Sequence, residues 1–402
     1  MLKIAIIIPN EYPVPAVRGG AVEGLVEQLL DQNEVHNKLD ITVFSPYDKK
    51  AEAEAKKYKN SKVIYIRKKF IDKLSENKEI TVLNLYYAKY KSKSLISYPY
   101  INRIIREIAK KQFDLIICEG GNYIQYKALS DYVGSKRMII HYHGEVAGNI
   151  ALKNWFDHHI CVSSYIGRKL VENGCVSASS VDILLNGVPT EKFIPTENDR
   201  YAIRSELGFT TEDIILIYWG RMIPQKGVRE LINAFKVALS QEKRLRLVLF
   251  GGAHFGNITS ATPYEQEVVS LCKDCEQIRL NGFIENKKLQ KYISACDIAV
   301  LPSIWDEPAG LAMLEAACVG IPLITTGTGG MREYIKETGH VFVSWSKNFV
   351  KDLATTILEV AKNPEFAHQA RENAEYYRNK FNSSRYYFDY VELMEKYQNK
   401  EF

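Results

Sequence analysis

The sequence predicts an α/β protein built from two Rossmann-like, doubly wound parallel-sheet domains facing across a cleft. Three observations predict it. At 402 residues the chain exceeds what a single hydrophobic core usually serves. Its 46% hydrophobic and 25% charged content is that of an ordinary globular protein, so a sizeable core is available. Short apolar runs alternate with helical periodicity from end to end, the pattern of parallel strands covered by helices on both faces.

Taken in order, the first set of strand candidates is Lys3 to Pro9, Asp40 to Ser45, Lys62 to Arg67, Asp114 to Glu119, Met138 to His143, His158 to Ser163 and Val181 to Leu185. The pattern then breaks. From Asn186 to Asp213 come Pro189, Pro195, a charged stretch and a helical segment closed by Gly208, which places the linker there. A second set follows at Asp213 to Trp219, Leu245 to Phe250, Ile278 to Asn281, Asp297 to Leu301, Pro322 to Thr325 and His340 to Ser344. The expected domains are therefore 1–195 and 196–380, with an amphipathic helix over 381–402 packing back on the first. Open parallel sheets bind ligands beyond the carboxyl ends of their strands, so the loops at those ends are where chemistry is sought.

Several functional classes are disfavoured at once. No apolar run approaches the roughly 20 residues that span a bilayer, and Met1 to Pro9 is too short for a secretory signal, so a cytoplasmic protein is expected. Seven scattered cysteines do not form a disulfide framework. Cys272 and Cys275 have CxxC spacing but no accompanying ligand pair, which favours packing residues over a metal site. The net charge is only +5, yet Lys49, Lys50, Lys56, Lys57, Lys59, Lys62, Arg67, Lys68, Lys69 and Lys73 crowd one stretch. Beyond it Tyr86, Tyr87, Tyr90, Tyr98 and Tyr100 interleave with Lys89, Lys91, Lys93, Arg103 and Arg106. That mixture could meet an anionic membrane surface at the inner face of a membrane or nucleic acid, or be simply a solvated basic face; of these, a nucleic-acid partner is not expected.

The first strand is not followed by the GxGxxG of a dinucleotide-binding turn. Instead Gly19 and Gly20 open a helix, either as a plain turn or as a place where backbone N–H groups approach an anion or sugar. The second half is more informative. After the strand ending at Trp219 come Gly220, Arg221, Pro224, Lys226 and Gly227. Two cations at a strand's carboxyl end can stabilise charge developing on a phosphate leaving group, although Arg and Lys are common in any loop. Farther on, Glu307-Pro308-Ala309-Gly310-Leu311-Ala312-Met313-Leu314-Glu315 joins three features. Gly310 begins a helix whose free N–H groups suit a phosphate, Glu307 lies just before that terminus, and Glu315 lies more than one turn inside. A carboxylate among Met313, Leu314, Ala316 and Ala317 needs strong partners; ribose hydroxyls or a structural cap would supply them. Glu307 either meets a sugar or only favours the helix dipole.

These residues resemble those of the family 4 nucleotide-sugar glycosyltransferases, which have the GT-B fold, and the resemblance covers nearly the whole chain. It rests on the two glutamates with seven residues between them at Glu307 and Glu315, on Arg221 and Lys226, on Asn186-Gly187-Val188 with Phe193, on Gly329-Gly330 with Glu333, and on Gly19-Gly20 with Glu23. One departure is Pro189, where many members have Asp. The resemblance also implies an active-site histidine at His143, with His141 two residues away on the same strand face. The implied reaction is a retaining, metal-independent transfer from a nucleotide diphosphate sugar, a UDP-sugar by family frequency. No other cofactor is implied. The acceptor would be a glycan or a lipid-linked intermediate of surface polysaccharide assembly. Arg221, Lys226, Glu307 and His143 would be catalytic. Gly20, Arg221, Lys226, Glu307, Gly310, Leu311 and Glu315 would bind the nucleotide sugar, with no metal ligand among them. The alternative readings are a sugar-nucleotide epimerase or phosphorylase, and a non-catalytic nucleotide-sugar-binding subunit or scaffold docked on a membrane or nucleic acid.

Overall fold

The computed structural model describes residues 1–67, 98–146, 152–194, 197–252, 261–284 and 286–399. The chain divides into two compact units, Met1–Leu185 with Tyr386–Phe402, and Asn186–Arg385. Both are parallel α/β units. The division falls at Leu185/Asn186, where the Asn186 amide donates to the Tyr334 hydroxyl and the Val188 amide to the Phe381 carbonyl, both in the second unit.

The first unit carries β1 (Leu2–Ile7), β2 (Leu39–Pro46), β3 (Ser61–Ile66), β4 (Leu115–Glu119), β5 (Met138–Tyr142), β6 (His158–Cys161) and β7 (Val181–Ile183), in the order β3-β2-β1-β4-β5-β6-β7. Every pairing is parallel. A sheet covered on both faces needs strands that are apolar on both faces, which is why Leu2–Ile7 and Leu115–Glu119 read as runs rather than alternations. Helix α1 (Ala21–His36) packs Leu25, Val26, Leu29 and Leu30 on this core.

The C-terminal helix Ser383–Asn399 adds Tyr387, Tyr390, Met394 and Tyr397 to the same core. Two of these tyrosines carry polar tethers as well as area. The Tyr387 hydroxyl donates to Asn33 Oδ1 at 2.6 Å, and the Tyr397 hydroxyl to Asp182 Oδ2 at 2.9 Å. Tyr397 also stacks on His158 with 4.0 Å between ring centroids.

The second unit carries β8 (Ile214–Trp219), β9 (Leu245–Phe250), β10 (Ile278–Gly282), β11 (Ile298–Leu301), β12 (Leu323–Thr325) and β13 (His340–Phe342), in the order β10-β9-β8-β11-β12-β13. Its helices include α2 (Val228–Gln241) and α3 (Leu311–Val319). Buried Arg204 locks the preceding helix to the sheet by donating to Asp297 Oδ2 at 2.7 Å and to the Asp213 carbonyl at 2.9 Å.

In each sheet the strand order reverses once, between β1 and β4 in the first unit and between β8 and β11 in the second. Loops leaving adjacent strands in opposite directions open a crevice there, and ligands of doubly wound sheets bind at such points. Among the described residues no helix is long and apolar enough to cross a membrane.

Candidate functional site

In the second unit three loops meet at the β8/β11 reversal. The loop after β8 runs from Gly220 to Gly227, the loop after β11 from Pro302 to Gly310, and the loop after β12 from Thr326 to Gly330. They are fastened to one another by backbone. The Ile304 amide donates to the Gln225 carbonyl at 2.9 Å, the Gly330 amide to the Glu307 carbonyl at 2.7 Å, and the Thr326 hydroxyl to the Ser303 carbonyl at 2.6 Å. Two glycines make this closeness possible. Gly227 (φ +68°) and Gly329 (φ +63°) take left-handed conformations, and a Cβ on either would overlap the backbone of Pro302 or of Glu307.

This frame positions Glu307. Its carboxylate is buried, forms an ion pair with Lys226 and accepts the Ser303 hydroxyl at 2.6 Å. Burial pushes the carboxyl up, but the Lys226 ammonium, the Ser303 hydroxyl and Trp305 outweigh it, so Glu307 sits below its ordinary value and is ionised. Lys226 Nζ also lies 5.9 Å from the Trp305 ring centroid. Arg221, by contrast, is exposed, and its carbonyl accepts the Tyr218 hydroxyl at 2.9 Å.

Three residues after Glu307, Gly310 (φ +82°) forms the N-cap of α3 and Leu311 its first residue. The cap makes no side-chain hydrogen bond to the helix's leading N–H groups, and such a terminus favours negative charge. The helix is apolar nearly all round, with Met313, Leu314, Ala316, Ala317, Cys318 and Val319 buried. Within it Glu315 receives Trp219 Nε1–H at 2.7 Å from the end of β8. Burial drives its carboxyl up to about 7, only partly offset by that donor. Lys226, Glu307, Gly310, Leu311 and Glu315 thus share the β8/β11 reversal, and Arg221 joins them on the loop after β8. Trp219 and Ser303, the immediate partners of the two glutamates, carried no signal in the sequence.

At the reversal of the first unit, Gly19 and Gly20 precede α1, and Glu23 in its first turn is buried. The Glu23 carboxylate folds back over Gly20, where any Cβ would collide with it. Burial, with repulsion from Glu11 and Glu119, pushes Glu23 up to about 7.

The same edge holds a triad. Glu119 ends β4 and is the register partner of His141 on β5. Its Oε2 lies 3.0 Å from His141 Nδ1 and 2.8 Å from His143 Nε2. His141 is fully buried, whereas the His143 side chain is 13% exposed, so of the two it is His143 that reaches the surface. Burial alone would raise the Glu119 carboxyl, yet the two histidines bring it down to about 2. Burial and the neighbouring His141 lower His143 below its ordinary value, which keeps the ring neutral near pH 7. Glu119 was not singled out from the sequence.

Among the described residues these three form the one group whose donor atoms, all within 4.8 Å of one another, could share a cation. The contacts themselves are hydrogen bonds. Both ring nitrogens converge on a carboxylate oxygen rather than on a vacant point. Cys272 and Cys275 are free thiols outside that group.

Of the basic stretch, Lys68 to Lys93 lies outside the described residues. Of the remainder, Lys57 is neutralised by Asp31 at 2.8 Å and Arg67 packs over the Tyr47 ring at 4.0 Å.

A profile of the family Glycosyl transferases group 1 matches residues 199–376, the part of the chain that holds Arg221, Lys226, Glu307, Gly310 and Glu315. The chain is a glycosyltransferase with two GT-B type parallel α/β units. Over 90% of its length, and 91% of the relative's, it is 24% identical to Spore coat protein SA of Bacillus subtilis (strain 168). It is 22% identical to the lipopolysaccharide 1,2-N-acetylglucosaminetransferase of Salmonella typhimurium (strain LT2), over 59% of this chain and 61% of that one. Among solved structures, Anabaena HepE in complex with UDP and glucose matches with a TM-score of 0.74 at 15% identity, covering 98% of this chain and all of its own. That last likeness concerns the fold.

Proposed function

We propose that this glycosyltransferase is a retaining, metal-independent enzyme. It moves a hexose or N-acetylhexosamine from a nucleotide diphosphate sugar, a UDP-sugar, to a glycan or lipid-linked acceptor. One observation carries the reading. An exposed Arg221, the Lys226–Glu307 pair, the uncapped amino end of α3 and the half-buried Glu315 are gathered around a single strand-order reversal. This is cationic and N–H-rich where a diphosphate would lie, and acidic at two places where hydroxyls would lie.

In this reading the α3 terminus, Arg221 and Lys226 hold the diphosphate. The bond from the anomeric carbon to the phosphate oxygen breaks as the acceptor oxygen bonds that carbon from the same face. The departing phosphate takes the acceptor's proton, and fixed positive groups stabilise the charge it gathers. Glu315 accepts from ribose hydroxyls and Glu307 from the sugar, and His143 is a sugar-binding residue. HepE, crystallised with UDP and glucose, supports the choice of UDP.

Arg221→Ala is the clean test, because Arg221 is exposed. Nucleotide diphosphate release from a panel of UDP-, GDP- and ADP-sugars should fall about a hundredfold or more with the melting temperature unchanged. Full activity in that variant would overturn the electrostatic account. Lys226→Ala is a poorer probe, since it strands the buried Glu307 carboxylate at a cost of about 3 kcal/mol in stability.

A further inference from the structure

The Glu119 triad sets the tautomer of His143, and with it the kind of group that histidine can recognise. An ionised carboxylate only accepts hydrogen bonds, and Glu119 is ionised across the neutral range. A ring nitrogen 2.8 Å from its Oε2 must therefore carry the proton. In a neutral imidazole the other nitrogen is then bare. For His143 the protonated nitrogen is Nε2, and the bare one is Nδ1. His141 is pinned in the same way through Nδ1–H at 3.0 Å, and its ring, 4.2 Å from that of His143 between centroids, backs the second ring.

The backbone supports this arrangement. Glu119 and His141 are register partners on adjacent strands, so two of the three side chains are placed by the sheet itself. Gly120 (φ +66°) turns the chain beneath His143, leaving 3.6 Å between the ring's Cδ2 and where a Cβ would stand. The carboxylate and His141 are both essentially buried, so the triad exchanges little with solvent except through His143.

We propose that Glu119 is the positioning residue for His143: it holds the ring as the Nε2-protonated tautomer and leaves Nδ1 as an acceptor, so that the ligand group this histidine contacts must be a hydrogen-bond donor. Building on the function proposed above, the consequence is a specificity rule. The transferred sugar needs a free hydroxyl at that contact, and a deoxygenated or O-substituted sugar is discriminated against. A phosphate or carboxylate there would meet a lone pair.

The experiment uses the full chain with ¹⁵N-labelled histidine, His143 being assigned by the loss of its signals in His143→Gln. Long-range ¹H–¹⁵N spectra of the ligand-free protein near pH 8 should show His143 with a protonated Nε2 and a bare Nδ1. Glu119→Gln keeps the shape but replaces one acceptor with a donor, so the tautomer should become mixed or inverted. For the UDP-sugar found active, kcat/KM should fall roughly 10- to 100-fold, the loss of one charge-assisted hydrogen bond. Glu119→Asp retains the charge, and should keep the tautomer and recover part of the rate.

A bare Nε2 in the native protein would overturn the proposal. So would an unchanged tautomer in Glu119→Gln, whatever the activity, since a purely structural glutamate would lower the rate without moving the proton. The spectra require no substrate. If the native tautomer is as expected but no UDP-sugar is turned over, the proposed donor fails and the assignment of Glu119 stands.

Discussion

Glu315 is the side chain whose environment makes the sharpest prediction about pH. Burial raises its carboxyl to about 7 against an ordinary value of 4.5, so the folded chain holds a proton there that the unfolded chain has released. Stability from this group is fully present below about 4.5 and is lost as pH rises through about 7. Hydroxyls donating to the carboxylate favour its ionised form, so a bound ribose would reverse the preference. UDP should therefore gain affinity between pH 6 and pH 8, releasing a proton on binding at the lower value. Glu315→Gln should lose that share of the dependence, leaving the part due to the phosphate itself. Titration calorimetry in buffers of different ionisation enthalpy measures both, and identical pH profiles for the two proteins would remove Glu315 from the nucleotide site. At this scale the sequence was partly legible. Glu307, Glu315, Arg221 and Lys226 stood out because each lies at a strand end or helix start. Glu119, Trp219 and Ser303 did not, because what marks them is the partner, and the Trp219–Glu315 contact joins residues 96 positions apart.

Among the elements, the loop after β12 matters through what it touches. Gly329 is left-handed and lies so close to Glu307 that a Cβ would overlap its backbone, whereas Gly282, with a similar φ of +67°, has open space around it. The pair separates conformational strain from steric displacement. Gly282→Ala should lose about 1–3 kcal/mol from its φ alone. Gly329→Ala should lose more and should also weaken UDP-sugar binding, because the Glu307 loop must move. Denaturant melts and KM values give the comparison, and equal losses in both, with KM unchanged, would show that the loop after β12 does not brace Glu307. The thirteen strands among the described residues were readable as short apolar runs, most plainly those buried on both faces, such as Leu115–Glu119 and Met138–Tyr142. Asn186 to Phe193 looks like linker by composition, and only the folded chain shows Asn186 and Val188 bonded to Tyr334 and Phe381.

For the molecule as a whole, the proposed chemistry draws its positive charge from the protein: Arg221, Lys226 and the free N–H groups of α3. Chelating divalent cations with EDTA should then leave the turnover of nucleotide sugar where it was. A strict requirement for Mg²⁺, restored by adding it back, would assign the leaving-group charge to a metal instead. The net charge of +5 adds little to this account. What counts is where the cations lie, and several of the first unit's basic residues are already engaged with their own carboxylates and rings.

The sequence by itself determined the two parallel sheets and the glutamates and cations placed at their strand ends. These follow from local periodicity and from residue types at element boundaries, which neighbouring residues define. The tertiary structure decided which strands adjoin at each reversal, that Lys226 is paired with Glu307, and that one carboxylate meets two histidines. Those facts depend on register and on contacts between distant parts of the chain, where burial and hydrogen bonding set the protonation of each group.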